Sequence, residues 1–162
     1  MLDALRGTSM VLAILAAGLL AGLIYAFSVS VMPGLAGTDD RTLVHAMQQI
    51  NLAIINPWFF LSFFGTPLLI ALAWVLHLGR GRSSALIFIS LAFLAALATL
   101  VITMALNVPL NNALDAAGRD PDRITDLSTV RESFEGAWVR WNNIRTLTST
   151  AALGFLVCAL ML

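Results

Sequence analysis

Glu135, Trp138, Asn142 and Arg145 fall at i, i+3, i+7 and i+10, so one stripe of one helix carries a carboxylate, an indole, an amide and a guanidinium. Such a set can accept a proton, stack on a flat ring and hold a developing oxyanion. A membrane span needs none of these groups merely to cross. The stripe lies within Arg131–Thr150, RESFEGAWVRWNNIRTLTST, whose charged start runs unbroken into an apolar tail. Arg131 stands four residues before Glu135, which gives that acid a partner. Arg145 has no acid one turn away in its own helix, so it needs an anion from another segment, from lipid phosphate or from a ligand. Anchoring is the competing explanation. Trp138 and Trp141 suit an interfacial aromatic belt, and Arg145 can snorkel. Asn142 and Arg145 are the two residues that anchoring alone explains least.

The elements that must position this stripe are membrane spans. The 162 residues are 59% hydrophobic and only 11% charged, with a mean hydropathy of +0.89, whereas a soluble domain carries roughly 25% charged residues. A span needs about 20 apolar residues. Thr8–Val31, Pro57–Leu76, Ser84–Leu106 and Ile144–Leu162 qualify. The expected fold is a single all-α domain, an integral-membrane four-helix bundle with short helical outer connections. The first span is too long for a signal-peptide core and is read as retained. Arg6, with Arg80 and Arg82 in the turn between spans two and three, marks the cytoplasmic side. Both termini are then cytoplasmic, in what reads as a bacterial inner membrane. Gly18 and Gly22, and the alanines of spans three and four, favour close helix approach and leave room for a homo-oligomer. Pro67 predicts a kink in span two.

The same composition removes several functions. A net charge of zero offers no basic surface for nucleic acid. Cys158 is the single cysteine, so there is no internal disulfide and no CxxC pair of the kind that quinone-linked thiol oxidoreductases need. No span carries an ionisable group near its middle, where proton pumps and ion-coupled transporters place one. His45 and His77 fall on opposite sides of the membrane, so no shared metal and no bis-histidine haem is expected.

The outer connections supply further polar groups. Thr42–Ile55 reads as a helix with Asp39 and Asp40 at its positive end. Leu43, Met47, Ile50 and Ile54 form its apolar face, with His45, Gln49 and Asn56 opposite. Asn51 sits at the edge of the apolar face and is expected to have a partner, either another loop or a ligand. Asn56 before Pro57 is a helix cap. Pro109 is expected to end or bend span three and to push the residue before it out of helical geometry. Asn107 and Asn111 then either satisfy loose backbone groups or form a polar pocket wall. Gly118 and Pro121 break the chain, and Thr129 with Glu132 reads as a capping box that starts the last helix.

GLIYAFSVSVMP from Gly22 to Pro33, MQQIN from Met47 to Asn51, the Asn56-Pro57 pair, NVPLN from Asn107 to Asn111 and WVRWNNIRTLTS from Trp138 to Ser149 occur in this order. In these runs the chain resembles the DUF1772, or anthrone oxygenase-like, family of small four-span membrane proteins. The resemblance implies a cofactor-independent oxygenase that acts on an anthrone-type aromatic, with neither metal nor flavin, and the outward-facing polar groups would form its pocket. An anthrone has an acidic methylene opposite its ketone, and its anion can pass an electron to oxygen directly. Such a site needs a base, an oxyanion holder and an aromatic slot. His45 is the candidate base and Glu135 the fallback. Arg145, with Asn107, Asn111 or Asn142, would hold the oxyanion, while Trp138, Trp141 and Tyr25 would sandwich the ring. The alternative is a non-enzymatic binder of membrane lipid or of a hydrophobic small molecule, or a partner subunit, with Arg145 on a lipid phosphate.

Overall fold

The computed structural model describes residues 1–78, 84–118 and 124–162. Arg80, Arg82 and Pro121 lie outside the described residues. Among the described residues five helices follow in order: α1 (Leu2–Ala36), α2 (Asp40–Ala53), α3 (Pro57–His77), α4 (Ser84–Ala116) and α5 (Leu127–Leu160). All but α2 are long and apolar enough to cross a membrane. The chain is an all-α integral-membrane bundle.

Met10, Ala13 and Ala17 early in α1 meet Ile70 and Ala73 late in α3, Ile89, Ala92 and Ala96 early in α4, and Ala152, Leu156 and Ala159 late in α5. The spans therefore alternate in direction, and both termini share one end. Lipid tails give helices no hydrophobic reason to associate, so small residues drive contact by letting backbones approach. Alanine carries that role here. A side chain at Gly18 would meet only Leu153, at 3.9 Å, and one at Gly22 would meet nothing within 4 Å. The close approach expected of the glycine pair belongs to the alanines instead.

The opposite, cap end is built differently. Helix α2 lies across it and buries Leu43, Val44 and Met47 against Met32, Leu114, Phe134 and Trp138. Asp39 caps α2 by accepting from the Thr42 backbone N–H at 2.8 Å and the Thr42 hydroxyl at 2.9 Å. Asn56 caps α3 through the Phe59 N–H at 3.0 Å, as expected. Gln48 reaches from α2 to the carbonyl oxygens of Leu114 at 2.9 Å and Gly118 at 2.8 Å. Gly118 has a φ of 116°, a conformation that only glycine adopts readily, and it turns the chain out of α4.

Four boundaries differ from the sequence reading by more than two residues, the first being the start of α1 at Leu2 in place of Thr8. Helix α1 continues past Val31 to Ala36, and α4 continues past Leu106 to Ala116. Each passes its proline through a wider turn just before it. The Met32 N–H bonds the Phe27 carbonyl and the Val108 N–H bonds the Thr103 carbonyl, both five residues back, and Pro33 and Pro109 follow at once. Widening the turn relieves the clash between a proline ring and the carbonyl four residues earlier. Val108 accordingly keeps helical angles of −62° and −45°. Helix α5 begins three residues early. Asp126, not Thr129, is its cap, accepting from the Thr129 N–H at 3.0 Å and the Thr129 hydroxyl at 2.7 Å.

Candidate functional site

Helix α5 runs the whole height of the bundle, so its stripe can serve the cap and the membrane at once. Phe134, Trp138, Asn142, Arg145 and Ser149 are all buried along one face. The upper turns close the cap. Arg131 binds Glu135 at 2.6 Å, Asp40 at 3.0 Å and the carbonyl oxygens of Thr38 at 2.8 Å and Ala36 at 3.0 Å. This clasp ties α5 to the α1–α2 connection.

One turn lower the stripe becomes a hydrogen-bonded ladder. The Trp138 indole N–H donates to Asn111 Oδ1 at 2.8 Å. Asn142 donates its amide to the Ile24 carbonyl at 3.2 Å and to the Ser28 hydroxyl at 2.8 Å. Both acceptors lie where α1 enters its wide turn. The Asn142 oxygen in turn accepts from Arg145 Nη2 at 2.7 Å, and Arg145 Nη1 donates to the Thr103 hydroxyl at 3.3 Å. Thr103 opens the wide turn of α4. The guanidinium lies 5.5 Å from the Trp138 ring centre. Both wide turns thus feed partners to this ladder.

Arg145 is 9% exposed and Asn51 is 8% exposed. No carboxylate compensates Arg145 among the described residues, and its Nε has no hydrogen-bond partner. The Asn51 amide nitrogen is likewise buried and unpartnered, so the partner expected for it is absent among the described residues. Leaving such a group unpaired costs about 1–3 kcal/mol. Asn107 donates to the Trp138 carbonyl at 3.4 Å, while its own oxygen is unpaired.

Arg145 and Asn51 both line a cavity of about 300 Å³, at the small end for a ligand site. Helices α1, α3, α4 and α5 wall it, and the end of α2 covers it. Phe27, Phe59, Phe63 and Trp138 make its apolar lining, with Phe59 and Phe63 stacked at 5.1 Å. Asn51, Thr103, Asn111, Asn112, Asp115, Asn142 and Arg145 are its polar groups. Ile55, Phe60, Phe64 and Met104 line it too, and they are also exposed on the flank of the bundle. The mouth therefore opens sideways between α3 and α4.

The structure brings Asn51, Asn111, Trp138, Asn142 and Arg145 together around this space, with Asn107 buried beside Trp138. It does not bring the others. His45 lies on the exposed face of α2. Glu135 is held in the Arg131 clasp. Tyr25 is 53% exposed on the outside of α1, one residue round the helix from the cavity-lining Ile24. Trp141 stands under Arg140, whose guanidinium is 5.5 Å from its ring. Sequence reasoning missed Asp115, Asn112, Thr103 and the phenylalanines of α3. The signal for Asp115 was legible: once Pro109 fails to stop the helix, Asn107, Asn111 and Asp115 follow at i, i+4 and i+8. Among the described residues no group of three or more His, Cys, Asp or Glu comes together that could hold a metal.

The sequence pattern of the family described as anthrone oxygenase matches residues 58–155, more than half of the chain. No curated protein and no solved structure matches it. The chain belongs to the anthrone oxygenase family.

Proposed function

From membership of the anthrone oxygenase family, we propose that this chain is a membrane-embedded oxygenase that acts on a flat aromatic carbon acid in the α1–α5 cavity, without a metal or organic cofactor. The family supports an oxygenase-like role. The observation that supports the finer reading is an aromatic-lined space walled by Arg145 and Asn51, each of which keeps a buried donor unsatisfied. Donors that have lost water and found no protein acceptor favour a ligand oxygen, above all one that gains negative charge. Removing a proton from the methylene of an anthrone-type ketone places charge on its carbonyl oxygen. Arg145 is already aimed by Asn142 and Thr103, so no reorganisation is needed when the charge appears. Phe59, Phe63 and Trp138 would hold the rings.

We place the protein in a bacterial inner membrane with both termini cytoplasmic and the cap outward. Arg6, on the terminal end, agrees with that orientation. Oxygen uptake by purified protein with an anthrone is the direct test. We expect a rate above the spontaneous one that Arg145→Ala abolishes. No rate above background, with wild type and Arg145→Ala alike, would sink the reading. The sideways mouth favours one competitor, a lipid-binding protein whose Arg145 holds a phosphate. Native mass spectrometry showing anionic lipid retained by wild type and lost from Arg145→Ala, without oxygen uptake, would establish that competitor instead.

A further inference from the structure

Resting on that reading, the geometry points to Asp115 as the base that takes the substrate's proton. Among the described residues, Asp115 is the one carboxylate that lines the cavity and Arg145 the one cation. They share the space, yet no ion pair joins them. The Asp115 carboxylate makes no hydrogen bond among the described residues either. It is half-buried on the last turn of α4, at the cap side of the cavity.

The spacing explains why the two charges do not meet. Thr103, which holds Arg145, and Asp115 are twelve residues apart on one helix, about 18 Å along its axis at helical rise. Side chains tilt toward the N-terminus of their own helix. For α5 that is the cap, and for antiparallel α4 it is the membrane centre, so Arg145 and Asp115 lean toward each other. The Arg145 guanidinium already reaches the level of Thr103, so only the Asp115 lean shortens the gap, which is on the order of 15 Å. A flat ring system bridges it with an acceptor oxygen at Arg145 and an acidic C–H, on the opposite edge, facing Asp115 through one water. His45 and Glu135 lie outside the cavity wall.

The chemistry balances with dioxygen as the second substrate. The C–H bond breaks, its proton passes to Asp115, and the electron pair moves onto the ring oxygen that faces Arg145. The anion gives one electron to dioxygen, and recombination forms a C–O bond. Asp115 returns the proton to the peroxide. The second C–H proton then leaves as the O–O bond breaks, so methylene plus dioxygen becomes a carbonyl plus one water. The carbon loses four electrons and dioxygen gains four.

Proton transfer can be measured without oxygen. Anaerobic exchange of the methylene hydrogens of an anthrone for deuterium in D2O should be catalysed by wild type. Asp115→Asn, which is nearly isosteric at a half-buried rim position, should slow it by about 10²–10⁴-fold. Binding of the quinone product, read by quenching of tryptophan fluorescence, should change by less than about threefold, and Asp115→Glu should recover part of the exchange. Exchange by Asp115→Asn within about threefold of wild type overturns the assignment and leaves the family reading standing. Loss of product binding together with exchange overturns it too, by making Asp115 structural. Wild type that exchanges no faster than buffer overturns both the base and the reading on which it rests.

Discussion

The two ends of this bundle solve opposite problems with the same four spans. At the terminal end, Ala13, Ala17, Ala73, Ala92, Ala96, Ala152 and Ala159 are buried against one another and bring the helices close. At the cap end, wide turns in α1 and α4, phenylalanines in α3 and a polar stripe on α5 keep the helices apart around a cavity. The difference teaches that a cavity in a membrane bundle must be built. In lipid, helices close on one another wherever small residues let them. Here the terminal end supplies the packing that a buried guanidinium and unpaired amides at the cap end oppose.

That contrast can be broken by substitution at either end. Of the substitutions that compare the two ends, Arg145→Met should have the strongest effect on function, lowering turnover about 10²–10³-fold. Its thermal midpoint in detergent should hold or rise, because a buried cation without a carboxylate is removed. Turnover retained by Arg145→Met would mean that the polar end does no chemistry. Ala92→Leu should act in reverse. Overpacking the terminal end costs about 1–3 kcal/mol, seen as a lower melting midpoint, while turnover per folded molecule stays the same. A smaller effect is expected for Asn51→Leu. It should raise KM by about tenfold or less without loss of stability, since it removes a donor that the protein leaves unpaired.

Acid should separate the ends further. Asp39 and Asp126 hold their carboxyls below the ordinary value because each accepts from the backbone N–H, then the hydroxyl, of a threonine three residues on. A depressed pKa contributes stability that is present above the unfolded value, about 3.9, and is lost as pH falls through the lower folded value. Hydrogen exchange should therefore quicken in α2 and the first turn of α5 below about pH 4, with the alanine core unchanged. The least effect is expected from His45→Ala and Tyr25→Phe. Both side chains point away from the cavity, so steady-state rates should match wild type, and a large loss in either would move the site.

Much of the architecture was legible because its causes are local. The spans show as apolar runs, α2 as a capped amphipathic segment, and the Trp138–Asn142–Arg145 face as helical spacing. What was hidden depends on neighbours. Prolines normally end helices, so Pro33 and Pro109 concealed the last turns of α1 and α4. The compensating wide turns are bonds five residues long that no single residue announces. Asp115 disappeared with the turns that carry it. Tyr25 and Trp141 suit an aromatic slot by residue type, but one step round a helix turns each away from the cavity. His45 was favoured because its ordinary pKa suits a base, a property that says nothing of where α2 points it.

Phe60, Phe64 and Met104 belong at once to the cavity and to the flank that faces the acyl chains. A compound reaching Arg145 by that route is dosed by its mole fraction in the bilayer, not by its molarity in the buffer. Adding inert lipid or detergent at constant total substrate should then slow the reaction, as it would for an enzyme whose true solvent is the membrane. On the proposed reading, rates acquire meaning only alongside the amount of amphiphile in the tube.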